Sequence, residues 1–583
     1  MAPLLVVKRW SSSSTFCKLS EYFPEAKHPA IFWNQSQLKA AKREGERWTN
    51  YKRRPELEAS LDFRWASKWF AKARLNGPRA IHCHVGPTNS GKTHEALQKL
   101  LSSRRGIYCA PLRLLAMEMW DRLNAAGRQC GLRTGEYSAG PPNNLNTSWE
   151  DVPLVACTTE MVNLESEWDV AVIDEVQLMA DDQRGWAFTQ ALLGINAREI
   201  YVCGEEAILP LIERIAKSLN ETVRVHRYGR LSKLIVNDEP LCNLADLKAG
   251  DCVVSFSRNA IFDLKEAIEA RLGQRCAVVY GSLPMENRAI QANKFNERAD
   301  GYQIMVASDA VGMGLNLNIQ RIVFAEIQQP GAILGTWRKV PSSRIKQIAG
   351  RAGRFGFNKN GNTIGEVTAF RKTDLKYVRE CMETPNEEYL QAGLHPSHLH
   401  YERLFEQFPD LSLPALMNAI SAVGRFDPEH QVCIGRDMYV LAYSLMAFPE
   451  LSISDQLTLS TAPVSLRCHF NINTYRLFVE HISKRKPCPL DFDMRHFTNP
   501  RTYLGVVESF YRALDLYLWL GTRYPEVFVD KEMVSKKRKE LSELVTSLLH
   551  KLTRKKMEKP LGNGAIPTLD RILDDVRSTI KGE

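Results

Sequence analysis

One octet restricts this chain more than any other stretch. Gly86-Pro-Thr-Asn-Ser-Gly91-Lys92-Thr93 fits GxxxxGK[ST] and directly follows the apolar run Ile81–Val85. A strand, a glycine-rich turn and a helix start in that order form a cradle for phosphate. The glycines let the backbone wrap an anion with its N–H groups, and the helix adds its positive end. Gly86, Pro87, Thr88, Asn89, Ser90 and Gly91 are therefore expected to line the phosphates of a nucleotide. Lys92 would reach the β and γ phosphates, and the Thr93 hydroxyl would bind Mg²⁺. A glycine-rich turn without function is the bland alternative, and the strand in front of it argues against that.

The surroundings of the octet fit an α/β chain. Apolar, β-branched runs alternate with helix-length polar segments from about residue 80 to about 370. The clearest are Ala80–Val85, Val170–Ile173, Glu199–Cys203, Cys252–Phe256, Ala277–Tyr280, Gln303–Ala307 and Arg321–Ala325. Buried parallel strands joined by helical crossovers read this way. Near 290 residues is too long for one such unit and suits two. After about residue 386 the strand signal fades. Val507, Phe510, Tyr511, Leu514 and Leu518, and then Leu541, Leu544, Val545, Leu548, Leu549 and Leu552, recur at helical spacing. The last third should be largely helical.

Phosphoryl transfer also needs a carboxylate beside the metal. Asp174-Glu175, 82 residues after Lys92, ends the run Val170–Ile173. Asp174 would hold Mg²⁺ together with Thr93, and Glu175 would polarise the attacking water. Gln347-Ile-Ala-Gly350-Arg351-Ala-Gly353-Arg354 places two arginines three residues apart, with small residues between them. Planar guanidinium groups suit charge developing on a transferring phosphoryl group. No kinase-type HRD loop and no NKxD guanine-reading motif occurs.

DEVQ at Asp174–Gln177 together with QxxGRxGR at Gln347–Arg354 resembles a helicase of superfamily 2. Further strings follow in that order: Ala110–Ala116, Thr134-Gly135-Glu136, Thr158-Thr159-Glu160-Met161, Cys203-Gly204-Glu205, Ser255–Arg258 and Ala307–Asn316. With GPTNSGKT, Tyr280–Pro284, Ala392–Pro396 and Ala513–Gly521, the chain is most similar to the mitochondrial degradosome ATP-dependent RNA helicases, DExH-type proteins of the suppressor-of-var kind. The fourth DExH position is Gln177, and no adenine-stacking Q-motif precedes Gly86.

The resemblance implies two tandem RecA-like parallel-sheet domains followed by an all-helical C-terminal domain. The expected boundaries are a transit peptide over 1–20, an N-terminal helical region over 21–79, RecA-like domains over 80–226 and 227–385, a helical domain over 386–555 and a flexible tail over 556–583. ATP and Mg²⁺ would sit between the RecA-like units. Lys92, Asp174, Glu175, Gln347, Arg351 and Arg354 would be catalytic, and Gly312 would add to the nucleotide site. Arg113, Thr134, Gly135, Thr158, Thr159, Ser282 and Ser308 would grip a strand through phosphate and sugar, without reading sequence. The implied activity is ATP-driven unwinding of structured RNA, 3′ to 5′, on single strands and tailed duplexes, with DNA as an alternative substrate. The implied partner is an exoribonuclease, of RNase-II type or a polynucleotide phosphorylase. A nucleotide-switched assembly factor that binds without unwinding is the competing class.

Composition is compatible with all of this. The net charge of +10 fits a nucleic-acid partner without requiring one. No run of 18 apolar residues occurs, and the 13 cysteines form no CxxC pair, so a reducing interior is the simpler setting. The first acid is Glu21, after Lys8, Arg9, Lys18 and the run Ser11–Ser14. Basic, serine-rich and acid-free is the pattern of an organelle transit peptide, here for the mitochondrial matrix. Lys536–Lys539 is expected to precede the helix over 541–552, as a strand rail, a docking face or a solvated surface.

Overall fold

The runs named above fold as two parallel sheets. The computed structural model describes residues 54–145, 147–312, 314–330, 337–354, 364–490 and 500–557. The expected transit segment, residues 21–53 and the tail from 558 lie outside the described residues.

The first sheet is built from β1 (Ala80–Val85), β2 (Gly106–Ala110), β3 (Cys130–Arg133), β4 (Ser138–Ala139), β5 (Leu154–Thr158), β6 (Glu167–Asp174), β7 (Asn196–Gly204) and β8 (Thr222–Arg227). Its order is β4-β3-β5-β2-β6-β7-β1-β8, parallel throughout except for β3 with β4. Helix α1 (Lys92–Ser102) follows β1 and α2 (Arg113–Ala125) follows β2. β2 and β5 are buried at every position, because crossover helices cover both faces.

The second sheet contains β9 (Leu234–Val236), β10 (Asp251–Val254), β11 (Arg275–Val279), β12 (Tyr302–Ala307) and β13 (Arg321–Phe324), then β16 (Gly365–Ala369) after a small antiparallel pair, β14 (Gln328–Pro330) with β15 (Trp337–Lys339). Its order, β11-β12-β10-β13-β16-β9, is wholly parallel. Helices α3 (Arg258–Leu272), α4 (Met285–Glu297) and α5 (Ser342–Ala349) belong to this lobe.

The C-terminal part is helical, apart from a short parallel pair, β17 (Ala392–Leu394) with β18 (His430–Val432). It ends in two long helices, α6 (Pro500–Gly521) and α7 (Lys531–Met557). The Lys536–Lys539 run therefore lies inside α7 and not in front of it. Its Arg538 turns inward to Asp515 and Glu286, at 3.1 and 3.2 Å.

One apolar core joins the second lobe to α6 and α7. Val253, Ile261 and Tyr280 of the lobe share it with Val507, Leu514, Tyr517 and Phe528. Each such side chain contributes about 1.5–3 kcal/mol on burial. Helix α6 is thus fixed to the second lobe by packing, while it reaches the first lobe through polar contacts described below. The segment before β1 is also anchored. Phe63 stacks on Phe426 with centroids 5.3 Å apart, and Leu57 and Leu61 share a core with Tyr401 and Leu416.

All twelve described cysteines are free thiols, and only Cys242 and Cys468 are not buried. No helix among the described residues is long and apolar enough to cross a membrane.

Candidate active site

Sheet order brings the nucleotide residues together. β1, β7 and β6 lie side by side, with Val85 beside Gly204 and Asp174 beside Cys203. The phosphate loop, Cys203-Gly204-Glu205 and Asp174-Glu175 therefore share one edge, at the carboxyl ends of the strands. Gly91 caps α1 at φ +82°, a left-handed conformation open to glycine. A Cβ on Gly86 would lie 2.5 Å from the Tyr228 carbonyl oxygen.

Lys92 Nζ donates to the loop's own Gly86 and Pro87 carbonyls, at 3.1 and 3.4 Å. The buried Ser90 Oγ has no hydrogen-bond partner among the described residues. An ammonium folded into a glycine cradle beside an orphaned hydroxyl fits a phosphate group. Thr93 Oγ1 donates to Asp174 Oδ1 at 3.3 Å, so the hydroxyl and carboxylate expected to hold Mg²⁺ converge. Burial, with Glu175 adjoining, pushes the Asp174 carboxyl up to about 6, against the opposing effect of the Tyr108 hydroxyl, which donates to Oδ2 at 2.7 Å.

Glu175 sits at φ +53°, and its N–H donates to Asp174 Oδ1 at 3.0 Å. Gln177 uses both ends of its amide: Nε2 donates to Glu175 at 2.5 Å, and Oε1 accepts from the Glu205 N–H at 3.3 Å. The fourth DExH position thus ties the expected catalytic carboxylate to β7. Gly204 is required there, since a Cβ would lie 2.8 Å from Gln177 Oε1. Glu205, pushed up by burial, accepts from Asn386 Nδ2 at 2.8 Å, and the same amide accepts from Lys346 of α5 at 2.8 Å.

The second lobe closes over the loop. A Cβ on Gly350 would overlap Thr88 Oγ1, at 1.7 Å, so only glycine permits this approach. Asn89 Nδ2 donates to the Gly353 carbonyl at 3.3 Å. Arg351 and Arg354 face their own lobe. Arg351 Nε donates to Gly312 O at 2.9 Å, and Arg354 Nη1 donates to Asn316 Oδ1 at 2.8 Å and Leu315 O at 3.3 Å. Burial, with Arg354 nearby, lowers the Arg351 guanidinium to about 10. Gly312 is thus occupied as a carbonyl acceptor, and a Cβ on it would lie 3.8 Å from Gln347 Oε1.

The expected strand-gripping residues are placed unequally. Arg113, at the start of α2, pairs with Glu136 at 2.9 Å and with Asp515 of α6 at 3.4 Å. Burial alone would lower its pKa, and these two carboxylates raise it. The Gly135 carbonyl accepts from Arg523 Nη1 at 3.1 Å, beneath Trp519. Ser282 Oγ donates to Glu508 of α6 at 3.1 Å, and Tyr280 and Arg258 contact the same carboxylate at 2.5 and 3.2 Å. Thr134 Oγ1 donates to the Tyr137 carbonyl, Thr159 Oγ1 to the Ala110 carbonyl, and Ser308 Oγ accepts from the Ala310 N–H. Thr158, buried, leads into the turn 159–161. Of this set, Arg113, Gly135 and Ser282 meet α6 or Arg523 just after it, so the helix reaches both lobes, whereas Thr134, Thr159 and Ser308 bond to neighbouring backbone.

Sequence reasoning did not single out Tyr108, Arg230, Asn386, Glu508 or Asp515 as site residues. Asp515 lies in the family-like string Ala513–Gly521 and the others in strings without motif spacing, and for each only the distant partner reveals what it contacts.

Three family models match. "DEXQ-box helicase domain of Suv3" covers residues 66–228, "Helicase conserved C-terminal domain" covers 237–356, and "ATP-dependent RNA helicase SUV3 C-terminal domain" covers 504–551. The chain is 37% identical over 529 residues to "ATP-dependent RNA helicase SUPV3L1, mitochondrial" of Gallus gallus, a match that takes in 89% of this chain and 65% of the relative. It is 37% identical over 506 residues to "ATP-dependent RNA helicase SUV3L, mitochondrial" of Oryza sativa subsp. japonica, covering 86% and 66%. For the human protein named SUPV3L1 the figures are 36% over 509 residues, 86% and 63%. The chain thus spans slightly less than two thirds of the length of these curated relatives. With a SUV3-type domain at each end and this identity running through the lobes between them, the chain belongs to the SUV3 family of DEXQ-box helicases.

Proposed function

We propose that this protein is an ATP-dependent RNA helicase of the mitochondrial matrix. The observation that carries the reading is the convergence of Lys92, Thr93 and Asp174 on one cradle, with the Gly350–Arg354 turn packed directly on its rim. Lys92 and the loop amides would bind the triphosphate. Thr93 and Asp174 would hold Mg²⁺, which would supply charge neutralisation for the phosphates. Glu175, oriented by Gln177, would take the proton of the attacking water. Arg351 and Arg354 would leave the 312–316 carbonyls for the γ phosphate as the cleft tightens. Hydrolysis would release that grip, a ligand-biased hinge acting on the strand face. The relatives' names support RNA as substrate and the mitochondrion as location.

Direction 3′ to 5′, a role in RNA turnover and surveillance, and coupling to an exoribonuclease as a degradosome subunit complete the reading. These finer features rest on the family resemblance.

The test is strand displacement on RNA and DNA duplexes with 3′ or 5′ tails at one fixed salt concentration, because affinity for the backbone is strongly salt-dependent. ATP-dependent displacement of 3′-tailed RNA, lost in Lys92→Ala with the fold intact, is expected. Binding without displacement would leave the nucleotide-switched assembly factor instead. Affinity capture from mitochondrial extract, with and without residues 505–560, checks the nuclease partner.

A further inference from the structure

Arg230 lies in the segment joining the lobes, between β8 and β9. Its guanidinium donates to the Thr88 carbonyl at 3.1 Å, at the tip of the phosphate loop. It also donates to the carbonyls of Gly350, at 2.9 Å, and Ala352, on either side of Arg351. Nε holds the fork in place by donating to Ser232 O at 2.9 Å. Every one of these acceptors is a neutral oxygen, and among the described residues no carboxylate pairs with Arg230. Burial and the nearby Arg354 lower its pKa to about 10. Lys92, Arg351 and Arg354 border the same seam, and among the described residues their acceptors are likewise carbonyl or amide oxygens. A partly buried cation ringed by carbonyls, beside other cations, is electrostatically unfavourable until an anion arrives. The triphosphate supplies that anion.

We propose that Arg230 is a positioning residue of the nucleotide site, a clasp that docks the Arg351-bearing turn onto the phosphate loop and so sets where Arg351 meets the γ phosphate. The inference rests on the ATPase reading above. The planar fork matters, because Nη1 meets Thr88 and Gly350 while Nη2 meets Ala352, a spread over two nitrogens that the single nitrogen of a lysine ammonium does not reproduce.

The test compares the full-length chain with Arg230→Ala, Arg230→Lys, Arg351→Ala and the Arg230→Ala/Arg351→Ala double variant. Arg230→Gln stands in if the alanine variant does not fold. RNA-stimulated ATPase should show kcat down at least about tenfold in Arg230→Ala, with KM for ATP changed less than about threefold. Arg230→Lys should not restore it, and the double variant should be no slower than Arg351→Ala alone. Without nucleotide, amide exchange over residues 348–353 should quicken in Arg230→Ala at an unchanged melting temperature. Unchanged kcat, losses that multiply in the double variant, or unaltered exchange would overturn the clasp. A wild-type chain without ATP turnover, or an active Lys92→Ala, would instead bring down the ATPase reading, and the exchange measurement would still judge the clasp.

Discussion

Asp515 of α6 accepts the guanidinium of Arg113 at 3.4 Å, across 402 residues of chain. A helix rooted in the second lobe's core thereby holds the expected strand-gripping arginine of the first lobe. One and two turns away on the same helix, Trp519 lies on Gly135 and Glu508 takes Ser282 and Arg258. Carboxylates stand where strand phosphates are expected, so under the proposed function α6 and nucleic acid would compete for the same cations.

Asp515→Asn should therefore loosen Arg113 toward RNA, leaving Glu136 at 2.9 Å as its remaining carboxylate. We expect single-strand affinity to rise by about threefold to tenfold, since one partly exposed charge contact is worth about 1 kcal/mol. Fluorescence anisotropy on a short RNA at fixed salt measures it. Equal or weaker binding would show that Arg113 does not face the strand.

Arg351→Ala should leave nucleotide binding near normal while hydrolysis falls. Arginines that meet the γ phosphate in phosphoryl-transfer sites contribute roughly 10³–10⁵ in rate. The Gly312 carbonyl also loses its buried donor, so the variant should melt somewhat earlier. Single-turnover hydrolysis and calorimetry separate the two effects. A rate loss under about tenfold removes Arg351 from the transition state.

Tyr108→Phe deletes the hydroxyl that donates to Asp174 at 2.7 Å. Because that contact opposes the rise of the Asp174 carboxyl to about 6, its loss should push the carboxyl higher still. Less carboxylate is then available near neutral pH, and the Mg²⁺ requirement should rise about tenfold, as for other residues supporting a metal ligand. The deficit should widen as pH falls toward 6 and narrow toward pH 8. Mg²⁺ titrations of nucleotide binding at several pH values provide the check.

His84, on β1 before the phosphate loop, is 1% exposed and stacked on His226, and burial depresses its pKa to about 4. For a depressed histidine the sign is fixed. Its contribution to stability is complete above pH 6.5, is lost progressively as pH falls toward 4, and reflects a proton bound in the unfolded chain but not in the folded one. The melting temperature should drop over that window, and His84→Asn should flatten the drop by up to one proton. An identical slope would assign the acid sensitivity to other groups.

The phosphate loop was legible because its chemistry is local. Eight consecutive residues carry the glycines, lysine and threonine, and the preceding strand aims them. The same holds for Asp174-Glu175 at the end of β6 and for the alternation that announced two parallel sheets. Helical spacing also revealed α6 and the apolar face of α7. Spacing alone misjudged where α7 begins, because Lys536, Lys537 and Lys539 are good helix formers on a solvated face and carry no apolar stripe.

Tertiary structure alone decided what those elements meet. Nothing local to Glu508 or Asp515 shows that α6 turns their carboxylates onto Arg258 and Arg113. Nothing in Tyr-Gly-Arg230-Leu-Ser shows that this arginine spans two lobes. Local sequence determined this protein's glycine-rich loop and its α/β class, since both arise from residues a few positions apart. Which cation finds a carboxylate, and which is left among carbonyls, depends on partners 100 to 400 residues away, and only the packed chain sets those distances.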